Sequence, residues 1–429
     1  MSTDYDVIVI GAGFAGITAA RELRAKGKRT LLLEARDRIG GRVYTQEFAG
    51  HTVELGGAWV HWTQPHVWAE LTRYGISTVP DVDPEIAVFP TPDGYRAFPA
   101  QERFDRQHEL LTALFADADE YFSHPWEPTR NKELIAEADK FTLRDGIKNL
   151  DLSPEDEGLL IGLASGESGG SSARGALTMT GHWWALGNLE HIGFHEIFTH
   201  RLENGLSALA EAMLADAQTD LRLESPVAKV EDDGSAVHVT TRSGERFSAP
   251  AAVVAVPVNV WKTIDFSPGL PQPFTQASTE GIGVPYGVKM AMHIRGDFGP
   301  VYAQADEGAP IIGLFAHRQL DDGQLVVGFI VEPDVDHTDF QQVEAAVKLL
   351  EPRAELVDYV YHDWGRDEFS QGGWAYRQPG QLALLDDIQT PQPRIAFANG
   401  DMANGWSGCV DGAIETGLKA ARYVDSLTD

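Results

Sequence analysis

Three glycines and one acid near the start of the chain have the types and spacing of a phosphate- and ribose-binding site. Gly11, Gly13 and Gly16 form the pattern G-x-G-x-x-G, and Glu34 follows them. The first glycine permits a tight turn, the second lets the backbone approach a pyrophosphate, and the third allows a helix to pack closely on a strand. The carboxylate of Glu34 can accept hydrogen bonds from a ribose, and it disfavours the 2′-phosphate of NADP.

The elements around these residues are those of a strand–helix–strand unit. Val7 to Ile10 is a wholly apolar run, typical of a strand buried on both faces. Apolar residues at helical spacing follow as far as Gly27, and a second apolar strand, Thr30 to Leu33, ends at Glu34. A glycine pattern alone is weak evidence, because glycine-rich turns are common. With strand, helix, strand and acid in this order, the sequence predicts a bound dinucleotide.

Composition limits the class of protein and its partners. The 429 residues exceed the ~250–300 residues of a single core, so two domains are expected. A formal charge of −30 argues against nucleic acid and anionic membrane as partners. Cys409 is the only cysteine, which forbids an internal disulfide and fits a reducing compartment. With no secretion signal or membrane-length apolar run, we expect a soluble, cytoplasmic protein.

Later segments depart from simple strand–helix alternation. We expect helices at about 101–122 and 131–149, a Gly/Ser loop at 165–175, an antiparallel meander at 226–248 and a last helix at 411–427. The fold class predicted is α/β, with a discontinuous Rossmann-like dinucleotide-binding domain and an inserted α+β substrate domain. The first domain is expected to comprise 1–85, 201–286 and 386–429, and the second 86–200 and 287–385.

A second motif indicates that the dinucleotide is FAD. Arg38-Ile39-Gly40-Gly41-Arg42 follows the acid and is similar to the R-x-G-G-R signature of FAD-binding oxidoreductases. Arg36 and Arg42 supply positive charge for phosphates, and the two glycines let the backbone pass close by. Glu54-Leu55-Gly56-Gly57-Ala58-Trp59 is similar to the next segment of the same families, which runs beside the flavin.

From Tyr5 to about Tyr423 the chain resembles the flavin-containing amine oxidases of the monoamine oxidase family. Besides the N-terminal motifs, it has Ala255-Val256-Pro257, Asp363-Trp364 before an FSQGG segment, and the closing segment FANGDMANGWSGCVDGAIETG. The family usually has Gly-Glu where this chain has Gly400-Asp401, which keeps the carboxylate and shortens it by one carbon. The resemblance implies a monoamine oxidase-like two-domain fold.

The resemblance also implies a set of FAD-binding residues. They are Gly11, Gly13, Gly16, Glu34, Ala35, Arg36, Gly40, Gly41, Arg42, Gly57, Ala58, Trp59, Val227, Trp364, Gly400, Asp401, Cys409 and Val410. The helix that begins near Asp411 should direct its amides at the flavin, where its dipole would stabilise a negative charge. Relatives with a covalent flavin carry cysteine at the position of Gly373, so non-covalent FAD is expected.

Three residues match catalytic positions of the family. Lys289 matches a lysine that holds a water against flavin N5, and its apolar strand would be a costly place for an idle ammonium. Trp374 matches the first of two aromatic residues that flank the substrate on the flavin face, and Cys409 matches the second. A tryptophan paired with a small residue resembles the bacterial branch that oxidises nicotine and related pyridine alkaloids.

The activity implied is oxidation of an amine. Hydride passes from the carbon next to nitrogen to flavin N5, the imine hydrolyses to an aldehyde or ketone plus an amine or ammonia, and O2 reoxidises the flavin to give H2O2. Two alternatives remain, a flavin dehydrogenase or desaturase with another electron acceptor, and a non-catalytic flavin-binding module. The partners expected are a small-molecule amine and O2 or an electron-carrier protein, and a homodimer is left open.

Two further clusters allow more than one interpretation. Gly181-His182-Trp183-Trp184 fits either a wall of the substrate cavity or the protein core. His191 and His195 have the spacing of a metal pair on a helix, but no cluster of acids or further ligands lies near them in sequence. No metal site is therefore predicted.

Overall fold

The computed structural model describes residues 5–190 and 198–428. Two large sheets, one parallel and one mostly antiparallel, form the framework of this part of the chain. The α/β fold class predicted from the sequence is confirmed. His191 and His195 lie outside the described residues. No helix of the described part is long and apolar enough to cross a membrane.

The first sheet carries the glycine motif and has five parallel strands. Their order is Ile395–Phe397, Ala251–Val254, Val7–Ile10, Thr30–Leu33 and Asp220–Arg222. One face packs on three helices, Phe14–Ala25, Leu206–Ala217 and Val410–Asp425. The other face packs on a four-stranded sheet, in the order Arg246–Ala249, Val237–Thr241, Val227–Asp232 and Asp265–Ser267. Burial on both faces explains why the four strands other than Asp220–Arg222, which lies at the edge, are almost wholly apolar.

The second sheet joins two distant stretches of the chain. Its seven strands have the order Glu355–Asp363, Val288–Arg295, Gly323–Ile330, Gly313–Leu320, Tyr302–Gln304, Ile86–Thr91 and Gly94–Pro99. Helices Ala100–Leu114, Pro154–Glu167 and Leu177–Leu186 share an apolar core with its strand Ile86–Thr91, and Phe340–Leu350 packs on its central strands. The strands of the two sheets fall within the ranges expected for the two domains, whose bounds stay a prediction.

Shorter elements connect these layers. The remaining paired strands are Thr45–Phe48 with His51–Glu54, and Thr78–Pro80 with His200–Leu202. The remaining helices are Pro65–Tyr74, Ala118–Tyr121, Lys132–Ala138, Leu143–Lys148, Gln272–Glu280 and Leu385–Gln389. Single 3-10 turns lie at Val258–Thr263, Leu382–Leu384 and Gly400–Met402.

Three predicted elements differ from the structure. The expected helices at about 101–122 and 131–149 are each divided in two. Within the second, Thr142 starts a new helix, because its hydroxyl accepts from the Asp145 amide while the Asp145 carboxylate accepts from the Thr142 amide. The expected loop at 165–175 begins later, since helix Pro154–Glu167 includes Ser165 and Gly166.

Candidate active site

A cavity of about 1010 Å³ is enclosed by residues of both sheets and their helices. It opens at the carboxyl ends of the parallel strands, where Gly11, Glu34, Ala255 and Asn399 line it. Ligands of open parallel sheets bind at this edge. All of the residues expected to bind FAD or to act in catalysis line the cavity, except Gly16 and Asp401.

The glycine motif forms a close backbone cradle at one end of the cavity. Gly11 has φ +102°, and a Cβ there would lie 2.6 Å from the carbonyl oxygen of Ala255. A Cβ on Gly16 would lie 1.9 Å from the Gly11 oxygen, so Gly16 fits only because it has no side chain. Gly13 is the N-cap of helix Phe14–Ala25, whose first turn carries no acid. The positive end of this helix therefore faces the cavity, as a pyrophosphate requires.

Glu34 lies at the end of strand Thr30–Leu33 and is 3 % exposed. One carboxylate oxygen accepts from the amide of Ala12 at 2.7 Å, and the other accepts from the amide of Arg36 at 2.9 Å. Each carboxylate oxygen can accept a further hydrogen bond. The two amides thus fix a carboxylate at the cavity wall in a position suited to a ribose.

Arg36 and Arg42 line the cavity, but each is also paired with an acid. Arg36 donates to Asp367 at 2.5 Å, and Arg42 donates to Asp401 at 2.5 Å and to the carbonyl of Gly373 at 3.0 Å. Asp401 is 1 % exposed and lies behind Arg42, outside the cavity lining. Asp401 is therefore in place to position Arg42, and its expected role in binding FAD stays a prediction.

A second helix begins at the cavity, close to the two expected cage residues. Helix Val410–Asp425 starts after Cys409, whose side chain makes no capping hydrogen bond. The carboxylate of Asp411 points away, since it accepts from the amides of His66 at 2.7 Å and Val67 at 2.9 Å. A Cβ on Gly412 would lie 2.4 Å from the Trp406 oxygen. The amides of this helix start are thus free of an acidic cap on the cavity side.

Lys289 is 3 % exposed within strand Val288–Arg295 and lines the cavity. Its Nζ donates to the carbonyl of Gly56 at 2.8 Å and lies 4.6 Å from the centre of the Trp59 ring. Burial lowers the pKa of Lys289 to about 8, although the charges of Glu54 and Asp81 oppose the shift. This ammonium is thus easier to deprotonate than that of an ordinary lysine.

Glu54 is the buried acid behind Lys289. Its Oε1 accepts from the amide of Leu206 at 2.5 Å and from the hydroxyl of Thr45 at 3.1 Å. Burial raises the pKa of the Glu54 carboxyl to about 7, and the charge of Lys289 opposes the shift. Because each group changes the pKa of the other, the pair titrates as a unit.

Trp374 and Cys409 both line the cavity, as the resemblance implied. The indole of Trp374 donates to the backbone carbonyl of Glu167 at 2.7 Å and packs edge-on against Phe329, with 5.8 Å between ring centres. Burial, with a smaller effect of the charge of Asp411, raises the pKa of the Cys409 thiol to about 12. At neutral pH Cys409 is therefore a neutral thiol, which is a poor nucleophile.

The two tryptophans of the inserted helix have different environments. Trp183 lines the cavity, and its indole donates to the carbonyl of Ser407 at 3.2 Å. Trp184 is 2 % exposed and packs in the core against Phe115. One residue of the pair thus belongs to the site and the other to the core.

Glu167 is the site residue that the sequence did not indicate. It ends helix Pro154–Glu167 and lines the cavity, while the sequence pattern had placed it in a loop. Its Oε2 accepts from the hydroxyl of Thr180 at 3.0 Å and from that of Tyr376 at 3.5 Å. Its Oε1 is shielded from solvent and has no hydrogen-bond partner among the described residues. Burial raises the pKa of the Glu167 carboxyl to about 7.

The residues around the cavity fit FAD. The site has two helix N-termini, a glycine cradle in which a Cβ on Gly11 or Gly16 would clash with backbone, and a buried carboxylate. These features meet the needs of a pyrophosphate, an electron-accepting ring and a ribose. The fold and the site are therefore those of a dinucleotide-binding oxidoreductase. The same cavity has a second group of lining residues, Lys289, Trp374 and Cys409, where a small molecule can bind.

Comparisons with known proteins place the chain more closely. The sequence profile described as "Flavin containing amine oxidoreductase" matches residues 14–425. The chain is 36 % identical to pseudooxynicotine dehydrogenase of a Pseudomonas species, over 99 % of this chain and 87 % of that protein. It is 36 % identical to nicotine dehydrogenase of Pseudomonas putida (strain DSM 28022 / S16), over 99 % of this chain and 89 % of that protein. With (S)-6-hydroxynicotine oxidase of Paenarthrobacter nicotinovorans it shares 31 % identity, over 96 % and 97 % of the two chains.

Solved structures agree on the fold. Putrescine oxidase, in a triple mutant redesigned at its cofactor site, superposes with a TM-score of 0.83 at 23 % identity, covering 98 % of this chain and 99 % of that one. Cyclohexylamine oxidase from Brevibacterium oxydans IH-35A gives a TM-score of 0.81 at 23 % identity, covering 99 % of each chain. The chain belongs to the flavin-containing amine oxidoreductase family. It is an enzyme that uses FAD to oxidise amines, and its relatives include those of the nicotine branch.

Substitutions of Cys409 test whether it acts by size or by chemistry. Cys409→Ser is expected to keep FAD and turnover, because a neutral thiol at this place is replaced by a neutral group of similar size. Cys409→Tyr is expected to fill the wall opposite Trp374 and to change the preference between bulky and slender amines by about 10-fold in kcat/KM. Steady-state kinetics with both kinds of amine measure this. A Ser variant with FAD bound but no turnover would establish a chemical role for the thiol.

Glu167→Gln is expected to gain stability relative to the parent protein as pH rises. The pKa of the Glu167 carboxyl is raised to about 7 in the folded chain from an ordinary value of 4.5, so the folded form holds the proton more tightly. The parent therefore loses stability between about pH 4.5 and about pH 7, whereas glutamine does not titrate. The difference in Tm between the two holoenzymes should grow over that range and then level off. A difference independent of pH would mean that the carboxyl titrates normally.

Proposed function

We propose that the chain oxidises a secondary amine of the pyridine-alkaloid type and that O2 reoxidises its non-covalent FAD with release of H2O2. The observation that carries this proposal is the position of Lys289, Trp374 and Cys409 on the same cavity as the residues suited to FAD. The names of three relatives, which refer to pseudooxynicotine, nicotine and 6-hydroxynicotine, support the substrate class. Gly373 stands where relatives with a covalent flavin carry the cysteine that bonds to it, which supports non-covalent binding of FAD.

The proposed roles of the chain's own residues follow from their contacts. Gly11, Gly13 and the start of helix Phe14–Ala25 hold the pyrophosphate, and Glu34 holds a ribose. The amides that begin helix Val410–Asp425 stabilise negative charge at the cavity. Bound FAD supplies the two-electron acceptor for hydride leaving the carbon next to the amine nitrogen.

Lys289 and Trp374 have separate tasks in this proposal. Lys289, fixed by the Gly56 carbonyl, orients a water and can hold or release a proton near neutral pH. The ring of Trp374, fixed by the Glu167 carbonyl, gives an apolar surface on which a neutral amine can lie. Such a surface favours the neutral amine, whose lone pair assists loss of hydride, over the ammonium.

A panel of amines read by flavin absorbance tests the reaction. Primary, secondary and pyridine-bearing amines are mixed anaerobically with the holoenzyme, and bleaching of the oxidised-flavin band is followed by stopped flow. We expect the pyridine-bearing secondary amines to bleach the flavin fastest. If no amine bleaches it, the amine substrate proposed here is wrong. Release of the flavin on unfolding in acid, without proteolysis, tests non-covalent binding.

A dehydrogenase that passes electrons to a carrier protein is the second candidate. It is favoured by the printed names of two relatives, pseudooxynicotine dehydrogenase and nicotine dehydrogenase. Mixing the reduced enzyme with air-saturated buffer separates the two candidates. Reoxidation at least as fast as turnover, with one H2O2 per amine, supports O2 as acceptor. If reoxidation by O2 is much slower than turnover measured with an artificial one-electron acceptor, the result supports a dehydrogenase that uses a carrier protein.

A further inference from the structure

Glu167 holds a carboxyl whose hydrogen bonds are incomplete. Oε2 accepts from Thr180 and Tyr376, while Oε1 is shielded from solvent without a donor among the described residues. A buried acceptor without a donor costs free energy, so such atoms are rare unless a ligand or a proton completes them. Glu167 is also one of the residues that line the cavity.

Glu167 contacts Trp374, and both Trp374 and Lys289 lie near Phe329. Lys289 Nζ lies 5.5 Å from the centre of the Phe329 ring, and Trp374 packs edge-on against the same ring, with 5.8 Å between ring centres. The Nε1–H of Trp374 donates a hydrogen bond to the backbone carbonyl of Glu167 at 2.7 Å. The chain of contacts from Lys289 to Glu167 thus passes through two aromatic residues, Phe329 and Trp374.

The surroundings of Glu167 otherwise favour a flat or apolar group. Trp183 and Tyr302 line the cavity, and burial, with a smaller effect of the charge of Glu167, raises the pKa of the Tyr302 hydroxyl. Trp183 packs edge-on against Tyr376, with 5.7 Å between ring centres. A single carboxyl among aromatic rings is suited to one polar atom of an otherwise apolar ligand.

We propose that Glu167 determines specificity by sharing a proton with a second basic nitrogen of the substrate, remote from the carbon that is oxidised. This inference rests on the proposed amine oxidation and names its substrate class, amines that carry another basic nitrogen. Either a carboxylate with a cationic nitrogen or a carboxylic acid with a neutral nitrogen places the same proton between the two atoms. A pyridine ring and an aliphatic amine both supply such a nitrogen.

Three amines of equal chain length show whether the second nitrogen comes from a pyridine ring or from an aliphatic amine. They are a phenylalkyl N-methylamine, the corresponding pyridylalkyl N-methylamine and an N-methylated alkanediamine. Wild-type kcat/KM should be at least about 10-fold higher for one or both nitrogen-bearing amines than for the phenyl compound, mainly through KM. The amine that is favoured identifies the nitrogen. Equal kcat/KM for all three would overturn the proposal.

Variants of Glu167 assign that preference to its carboxyl. Glu167→Met should reduce the preference to within about threefold, mainly by raising KM for the nitrogen-bearing amines toward that of the phenyl compound. Glu167→Gln should lose the preference for the diamine and keep part of that for the pyridine, to which an amide can still donate. Glu167→Asp, which withdraws the charge by one carbon, also loses preference and serves if the Met variant does not fold.

A control on the same helix and a separate readout complete the test. Glu157→Gln, in the first turn of helix Pro154–Glu167, should leave all three amines as in the wild type. Wild-type ratios in any Glu167 variant that folds with FAD bound would overturn the proposal. If no amine of the set bleaches the flavin anaerobically, the proposed amine oxidation itself fails. Bleaching by all three amines without discrimination refutes only the role of Glu167.

Discussion

Lys289→Met should lower turnover at least about 100-fold while FAD stays bound. The ammonium of Lys289 is buried in an apolar strand, held by the Gly56 carbonyl and placed over the Trp59 ring. Methionine keeps the volume of the aliphatic stem, so the wall of the cavity is retained. What is lost is a proton donor whose pKa is near neutral, together with the group that can order a water.

Two half-reactions show which step depends on Lys289. Anaerobic mixing with amine gives the rate of flavin reduction, and mixing the reduced enzyme with O2 gives the rate of reoxidation. One or both should slow by the factor seen in turnover, while the flavin content per chain is unchanged. Lys262→Met, at an exposed lysine, is the matched control and should behave as the parent. Unchanged turnover in Lys289→Met would remove the role assigned to this lysine.

Removal of Lys289 should also change Glu54. The charge of Lys289 favours the ionised form of the buried Glu54 carboxyl, so its loss raises the pKa of that carboxyl further. We expect an ionisation near pH 8 in the pH profile of the parent, and the residual activity of Lys289→Met should lack it. This readout distinguishes loss of a titrating group from a simple change of shape.

The sequence predicted those parts of the site that depend on short spacings. Gly11, Gly13 and Gly16 are close together in the sequence, directly after an apolar strand and at the start of a helix. A local pattern is therefore enough to identify them. Lys289 was proposed because it matches a lysine of the family it resembles, and its apolar strand made a solvent-exposed lysine a poorer interpretation. Four strands of the parallel sheet could be predicted because they are almost wholly apolar, whereas the edge strand Asp220–Arg222 has no such pattern.

The rest of the site depends on contacts between distant segments. Arg42 was expected to meet phosphate, but its guanidinium is paired with Asp401, a residue more than 350 positions later. Glu167 was assigned to a loop because Ser165 and Gly166 disfavour a helix. Packing against the antiparallel sheet extends that helix to Glu167, and no pattern within the helix shows that it ends at the cavity.

Arg42→Met should destabilise the holoenzyme by about 3–5 kcal/mol and promote release of FAD. Asp401 is 1 % exposed, and Arg42 supplies its only opposite charge among the hydrogen bonds described, the other donor being the amide of Val258 at 2.9 Å. Without Arg42, a buried carboxylate is left uncompensated. Arg42 also joins the Gly373 carbonyl at 3.0 Å, so its loss frees a segment of the cavity wall.

The partner of Arg42 provides the decisive comparison. Asp401→Asn in the Arg42→Met background removes the uncompensated charge, so the double variant should be more stable than Arg42→Met alone. Arg130→Met is the matched control, because Arg130 pairs with Glu127 on the surface, where both side chains are more than half exposed. Thermal unfolding read by flavin fluorescence reports stability and FAD release in one experiment. A Tm of Arg42→Met close to that of Arg130→Met would show that the buried pair does not hold this side of the site together.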